Sequence, residues 1–402
     1  MTYFVTLDDK ESCVGVYSDG ELHFGEVPVD LHYTWRPSAS LTSISAADAE
    51  FAYFYANGKS LSDVCPPHLK EGWEGILKRM EAYKNSFRIA KVNLQDNCLF
   101  DLIPKQYLTR YCDLKTEIIK HVFKTHVKPE NYDFMRSLSE MLQEMQKQKI
   151  HLNLAPVKRK FYNKRARDFV SDFSNGKKDN FVSYDAFKTK TGRLSVKKGS
   201  FPILNLDKEF RCAVEPTHDW ILELDYNAAE LRTLLALAGK AQPQEDIHQW
   251  NSSILHVSRS EAKKSVISWL YGSKTSDIGE KLSQMYAREE VLNKFYDPEK
   301  GIVTTPFGRK IPADDHHALN YLVQSTTADL VFDRMLAIRD LLKDKKSFIK
   351  FCLHDSVVID LAHEERSVIK EIFEIFSNTK LGKFQSSISA GKNFGDLQRM
   401  NT

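Results

Sequence analysis

The sequence lacks any apolar run approaching the about 18 residues that a membrane-spanning helix needs, and nothing in it reads as a membrane span. No charged-then-apolar leader opens it, so the expected setting is the cytoplasm. Its 6 cysteines form no CxxC pair and no Cys/His spacing of a metal site. They are therefore expected to be reduced thiols of an intracellular protein rather than a disulfide frame. There is no internal repeat and no low-complexity tract. Neither sign of charge dominates, because 57 Lys and Arg against 54 Asp and Glu leave a net charge of only +3. That alone says little about a polyanionic partner. What is present is 402 residues, 42% hydrophobic and 28% charged, the composition of an ordinary globular chain long enough for two or three domains.

Residues 1–30 read as short strands with turns ("YFVTL", "CVGVYS", "LHFGEV"). Residues 45–92 read as mainly helical with a break at Pro66-Pro67, and 104–150 as two helices broken near "HVKPEN". The character then changes. "VKRKFYNKRARDF" packs Lys158, Arg159, Lys160, Lys164, Arg165 and Arg167 around aromatics, and "KTKTGRLSVKKGS" is a second basic stretch. Basic residues interleaved with aromatics suit a phosphate backbone with stacked bases; a solvated helix face is the plainer alternative. "DWILELDY" reads as a strand ending in an acid. "NAAELRTLLALAG" reads as a helix capped by Asn227 and closed by Gly239. "SRSEAKKSVISWLYG" reads as a helix with a Ser258 cap, and 316–340 as a long amphipathic helix. "FIKFCLHDSVVIDL" reads as two half-buried, alternating strands joined at His354-Asp355. A last helix is expected near 364–380.

Asp225 and Asp355 thus stand at strand ends, which meet when the strands are neighbours in one sheet. Two such carboxylates can hold hard cations, and two metals can stabilise both oxygens of an in-line phosphoryl displacement. Either acid taken singly is more often a turn or cap residue. Arg259, Lys263, Ile267 and Tyr271 recur at steps of four and so share one helix face. Two cations, an apolar group and a ring form a surface suited to a nucleoside triphosphate; a basic helix with a packed tyrosine is the alternative.

These segments, in this order, resemble the DNA polymerase A family. "TGRLS" (191–195) is similar to its template-primer motif and "DYNAAELR" (225–232) to its first catalytic motif. "RSEAKKSVISWLYG" (259–272) is similar to its fingers motif. "LNYLVQSTTADL" (319–330) resembles its N-x3-Q-G-T-A-A-D helix, and "LHDSVVID" (353–360) its last catalytic motif. The resemblance implies an α/β (α+β) fold. A right-hand polymerase palm with an antiparallel sheet, helical fingers and a reduced thumb would follow a small degenerate exonuclease-like α/β domain. The expected boundaries are 1–127 for the exonuclease-like domain and 128–402 for the polymerase. Within the latter, 156–187 is the reduced basic thumb, 188–232 and 316–402 the palm, and 233–315 the fingers.

The resemblance also implies roles. Asp225 and Asp355 would bind two Mg²⁺ ions, with the Tyr226 carbonyl as a further ligand. Lys263 and Arg259 would grip the triphosphate, and Lys263 would protonate the leaving pyrophosphate. Tyr271 would cover the nascent pair, with Ile267 beside it and His248 near the phosphates. Glu230 would exclude a ribose 2′-hydroxyl. Arg193 and Gln324 would reach the minor groove, where correct pairs present like acceptors. His354 would support the primer end and Asn320 the template. Lys158, Arg159 and Lys160 would hold the DNA backbone. Primer-template DNA and deoxynucleoside triphosphates are the implied partners, with a processivity or replisome protein and no membrane, in a bacterial cytoplasm that phage infection would also provide.

The departures carry information. Ser356 stands where the family usually has Glu, and the expectation is that Asp225 and Asp355 suffice, with a water held by Ser356, so that Ser356→Glu is tolerated. Asn227 replaces the usual Ser, Ile267 an aromatic, Ser325 a Gly, and His316 stands where an Arg is common. The short interval before Thr191 leaves little chain for a thumb, so low intrinsic processivity is expected. In the first domain, Asp9-Lys10-Glu11 and "NCLFD" keep traces of a 3′–5′ exonuclease, but Lys115 stands where its third motif needs an acid. A site without proofreading is expected. Two other readings share parts of the pattern: a single-subunit RNA polymerase, which Glu230 and "TGRLS" oppose, and a non-catalytic DNA-binding replisome scaffold, which has no need of Asp225, Lys263, Tyr271 and Asp355.

Overall fold

The computed structural model describes residues 2–10, 13–25, 27–38, 48–94, 97–272 and 277–400. The chain divides into two compact units, Met1–Arg136 and Ser137–Thr402. The side chain of Asp9 and all of Glu11 lie outside the described residues.

The first unit is built on strands β1 (Thr2–Lys10), β2 (Cys13–Ser18), β3 (Glu21–Phe24), β4 (Leu31–Thr34) and β5 (Glu50–Phe51), ordered β3-β2-β1-β4-β5. The β1–β2–β3 meander is antiparallel, whereas β4 runs parallel to β1 and to β5. Helices α1 (Pro67–Ile89) and α2 (Lys105–Thr125) share its core through Trp73, Ile76, Leu108, Ile118, Ile119 and Val122. Pro67 sits at the first position of α1, where a missing N–H costs nothing. The expectation of six reduced thiols is corrected at Cys98, which is disulfide-bonded; Cys65, Cys112, Cys212 and Cys352 are free.

Helix α3 (Tyr132–Gln146) leads into the second unit, and α4 (Lys164–Ser174) follows within the basic segment. The sheet that positions the site consists of β6 (Trp220–Tyr226), β7 (Phe348–Leu353), β8 (Ser356–Leu361), β9 (Ser386–Gly391) and β10 (Gln398–Arg399). Its order is β7-β8-β6-β9-β10, antiparallel throughout. Helices α5 (Ala229–Leu237), α6 (Ile247–Leu255), α7 (Arg259–Leu270), α8 (Ala318–Leu342) and α9 (Ile369–Ser377) complete the elements used below. Leu231, Leu234, Ile247, Leu255, Val266, Leu270, Leu322 and Val323 form one core joining α5, α6, α7 and α8.

Three local expectations are corrected. The hairpin strands are not half-buried: every residue of β8 is buried, because β7 and β6 flank it and helices cover the sheet. Its apolar runs conceal a fully buried ion pair, Lys350 Nζ to Asp360 Oδ2 at 2.7 Å. Helix α8 is not amphipathic over its first four turns, where Asn320, Gln324, Ser325, Thr326, Thr327 and Asp329 are all buried. It packs against α5, α9 and β7 at once, so both of its faces are covered. Asn227 does not cap α5. Ala228 takes that position in a left-handed conformation (φ +53°), because the Asn227 carbonyl accepts the Arg232 Nε–H at 2.8 Å. Ser258, by contrast, caps α7 as expected, in a reciprocal capping box with Glu261.

Candidate active site

The β6–β8 register sets Asp225 directly opposite Ser356. Asp355, the residue before Ser356 at the hairpin turn, therefore lies beside Asp225. His354 makes that turn in a left-handed conformation, φ +58°. Burial pushes the Asp225 carboxyl up to about 7, and Asp355 and Glu223 reinforce it. Burial also raises Asp355, against backbone hydrogen bonding and the nearby His354 and Arg193. Two half-buried carboxylates that repel one another at adjoining strand ends are a donor set for a hard divalent cation. Among the described residues no three His, Cys, Asp or Glu side chains converge tightly enough to hold a metal ion, so the protein's side-chain contribution is these two carboxylates. The Tyr226 ring stacks on Phe376 (centroids 4.0 Å apart) and its hydroxyl donates to the Phe376 carbonyl at 2.6 Å. That anchorage fixes the backbone at the end of β6.

A cavity of about 330 Å³ opens beside the pair, lined by Asp355, His354, Glu230, Arg193, His248, Lys263, Ile267 and Tyr271 among others. The steps of four on α7 hold: Ala262, Val266 and Leu270 are buried, while Lys263, Ile267 and Tyr271 face the cavity. Glu230 and Arg193 are bonded to each other. Burial raises the Glu230 carboxyl, Arg193 opposes it and Asp355 adds to it. Burial lowers His248, with Lys263 and Arg259 also disfavouring its cation while Asp246 favours it. Its Nδ1 is buried without a hydrogen-bond partner among the described residues.

The other expected residues lie elsewhere. Arg259 is not among the cavity-lining groups. Its Nε and Nη2 donate to Asp246 at 3.1 and 2.9 Å, and Asp246 also caps α6 through the Gln249 N–H at 2.9 Å. Asn227 reaches the same carboxylate at 3.4 Å. One acid thus ties the start of α7 to the turn after β6, and the Arg259 guanidinium holds it below the usual carboxylate range. Asn320 and Gln324 are buried on α8, and Asn320 Oδ1 has no partner among the described residues. Lys158 and Arg159 are exposed at the end of a short helix, Ala155–Lys158. Lys160 instead contacts Glu209, at 3.2 Å to its carbonyl and 3.5 Å to its carboxylate. Ser356 is 3% exposed, and its hydroxyl donates to the Leu353 carbonyl at 3.0 Å and lies 3.4 Å from Glu223 Oε1.

Sequence reasoning missed Glu223, Asp246 and the Arg309–Asp329 pair. Glu223 was in reach, because side chains two apart on a strand share a face and it stands two before Asp225. The Arg309 guanidinium, paired with the wholly buried Asp329 at 2.6 Å, lies under the "TGRLS" loop. A Cβ added to Gly192 (φ +73°) would sit 2.6 Å from Arg309 Cζ, so only glycine fits there. Gly192→Ala should cost roughly 1–3 kcal/mol, read as a lowered urea midpoint.

With this geometry in place, the fold can be stated: it is that of a polymerase domain. The POL domain of Pol1 from M. smegmatis, solved in complex with DNA primer-template and dNTP, matches with a TM-score of 0.66. The match covers 98% of this chain and 95% of that one, at 12% sequence identity. A DNA polymerase of Mycobacterium phage L5 is 25% identical over 39% of this chain, a stretch that spans 30% of that protein. The chain therefore aligns to less than a third of that relative's length. No family model matches the chain. The phage protein is a DNA polymerase and the solved structure shares the fold, in agreement with the resemblance read from the motifs.

Proposed function

We propose that this protein is a template-directed DNA polymerase of the A family, adding deoxynucleotides to a primer 3′ end. The observation that carries the reading is the β6–β8 register, which sets Asp225 beside Asp355, and Asp355 lines a cavity together with Lys263, Tyr271 and Glu230. When bound, two Mg²⁺ ions would lower the pKa of the primer 3′-hydroxyl and neutralise charge on the leaving pyrophosphate. Asp225, Asp355 and the Tyr226 carbonyl are the groups that would hold them. Lys263 presents an ammonium to the triphosphate and stands to give the leaving pyrophosphate its proton. Tyr271 and Ile267 offer the surface on which the incoming base and sugar rest. Asp246 holds Arg259 through Nε and Nη2, and the remaining guanidinium N–H groups are the ones it would offer to a phosphate. Glu230, held by Arg193, lies where a 2′-hydroxyl would have to be accommodated, and a badly paired buried polar group disfavours it. His248 faces the phosphates, and Arg193 and His354 face the primer end. Gln324 and Asn320 support the template side from within α8. Lys158 and Arg159 offer charge to the DNA backbone, with Lys160 beside them.

The first unit is proposed as a degenerate exonuclease-like domain without proofreading. Lys115, where an acid is needed, is a cation whose pKa burial lowers to about 8, Arg36 adding to the effect. A small basic segment in place of a full thumb supports low intrinsic processivity and a partner that holds the DNA. A phage or plasmid replicase working in a bacterial cytoplasm fits this division of labour.

Primer extension with deoxy- and ribonucleotides tests the reading. Wild type should extend with deoxynucleotides only, and Glu230→Ala should raise ribonucleotide use roughly a hundredfold. Preference of wild type for ribonucleotides would instead establish the RNA polymerase reading. A folded wild type that extends with neither would favour the scaffold.

A further inference from the structure

The acid missing after His354-Asp355 has a counterpart across the sheet. Ser356 faces Asp225 in the β6–β8 ladder, and Glu223 lies two residues before Asp225, so Glu223 and Asp225 project from the same face of β6. Ser356 and Glu223 are diagonal neighbours, and the Ser356 hydroxyl is 3.4 Å from Glu223 Oε1. Ser356 is 3% exposed and also bonds the Leu353 carbonyl, so a longer side chain at 356 would have to occupy the space that Glu223 holds. Glu223 is only partly exposed. Arg211, the cation acting on it, lies over the Phe394 ring at 4.9 Å and its Nε is unpaired among the described residues. An acid kept half-buried near two other acids, with a hydroxyl 3.4 Å away and no cation within salt-bridge distance among the described residues, is poorly explained as a structural pair.

We propose that Glu223 is a positioning carboxylate of the metal site, packed beside the Ser356 hydroxyl and supplying from β6 the acid that position 356 lacks. The assignment rests on the polymerase reading of Asp225 and Asp355. Glu223 acts through its field, not by joining the two aspartates as a third ligand. It adds a negative charge to a centre that must hold two divalent cations.

The test measures Mn²⁺ binding to the full chain without DNA, by the electron paramagnetic resonance of free Mn²⁺, beside thermal midpoints and primer extension. Glu223→Gln should weaken Mn²⁺ about tenfold, the lower end for groups that support metal ligands, with the midpoint unchanged or raised. Ser356→Glu alone should lower both midpoint and extension, because two glutamates then share one space. The double variant Glu223→Ser/Ser356→Glu should recover Mn²⁺ affinity and extension to within about threefold of wild type. Wild-type Mn²⁺ affinity in Glu223→Gln would overturn the assignment, as would a double variant no better than Ser356→Glu. Asp225→Asn serves as the control. If it abolishes Mn²⁺ binding and extension while Glu223→Gln changes neither, the polymerase reading stands and only this inference fails. If wild type binds Mn²⁺ with the expected pattern yet never extends a primer, the Glu223 assignment is supported and the polymerase reading fails.

Discussion

Asp225→Asn is expected to slow primer extension by at least about a thousandfold and to leave the fold intact. Metal-assisted charge stabilisation at a transferring phosphoryl group is worth several kcal/mol, and each 1.36 kcal/mol is a factor of ten in rate. Asp225 is one of two carboxylates at the centre, and Asp355 alone presents half the charge to the same cations. The fold should not suffer, for a reason that follows from the direction of the shift. A carboxyl that burial, Asp355 and Glu223 push up to about 7 favours the folded state when protonated. That contribution is complete below the ordinary carboxylate pKa and is lost as pH rises through 7. Near pH 8, without divalent cations, the wild-type carboxylate is therefore a burden that asparagine removes. The thermal midpoint of Asp225→Asn should equal or exceed that of wild type, measured beside the extension rate. A variant that loses activity together with its fold would say nothing about the metal site, and the paired measurement separates the two.

Arg309→Met is expected to destabilise the second unit by about 3–5 kcal/mol, the usual cost of removing one partner of a buried ion pair. Asp329 is 0% exposed and faces Arg309 through both of its oxygens, at 2.6 and 3.0 Å. Burial already holds its carboxyl above the usual range against the pull of Arg309. Without the guanidinium the acid must either protonate or remain an uncompensated charge. The effect should extend to function, because Arg309 also supports Gly192 and thereby the loop that carries Arg193. The double variant Arg309→Met/Asp329→Leu removes both charges and should regain most of the loss. Urea midpoints of the two variants check this. A single variant as stable as wild type would show that the pair contributes little.

The parts of the site legible in the sequence were those that local periodicity fixes. The steps of four on α7 depend only on helical geometry, and they placed Lys263, Ile267 and Tyr271 on one face. The two apolar runs around His354-Asp355 could form little but a hairpin, and the strand before Asp225 was equally plain. What stayed hidden depended on partners distant in sequence. Asn227 read as a helix cap because its side chain suits that place, but the backbone turned to satisfy Arg232, whose guanidinium also reaches Gln385 at 2.5 Å. Helix α8 read as amphipathic because its polar residues were assigned to solvent, whereas Asp329 turned inward to Arg309 and Thr327 to Thr233 at 2.9 Å. Arg259 read as a free phosphate ligand, since nothing local announced that Asp246 would hold it. The Ser356–Glu223 contact joins residues 133 apart, and only the strand register brings them together. Even the first unit's cysteines followed this rule, with Cys98 disulfide-bonded in a chain whose spacing suggested thiols.

The most direct measurement is single-nucleotide extension of a labelled primer annealed to a template, each of the four deoxynucleotides being offered alone with Mg²⁺. The expected result is addition of the nucleotide complementary to the template base, little addition of the other three, and none by Asp225→Asn. Equal addition of all four nucleotides by wild type, or no addition by a wild-type protein shown to be folded, would contradict template-directed synthesis at this site.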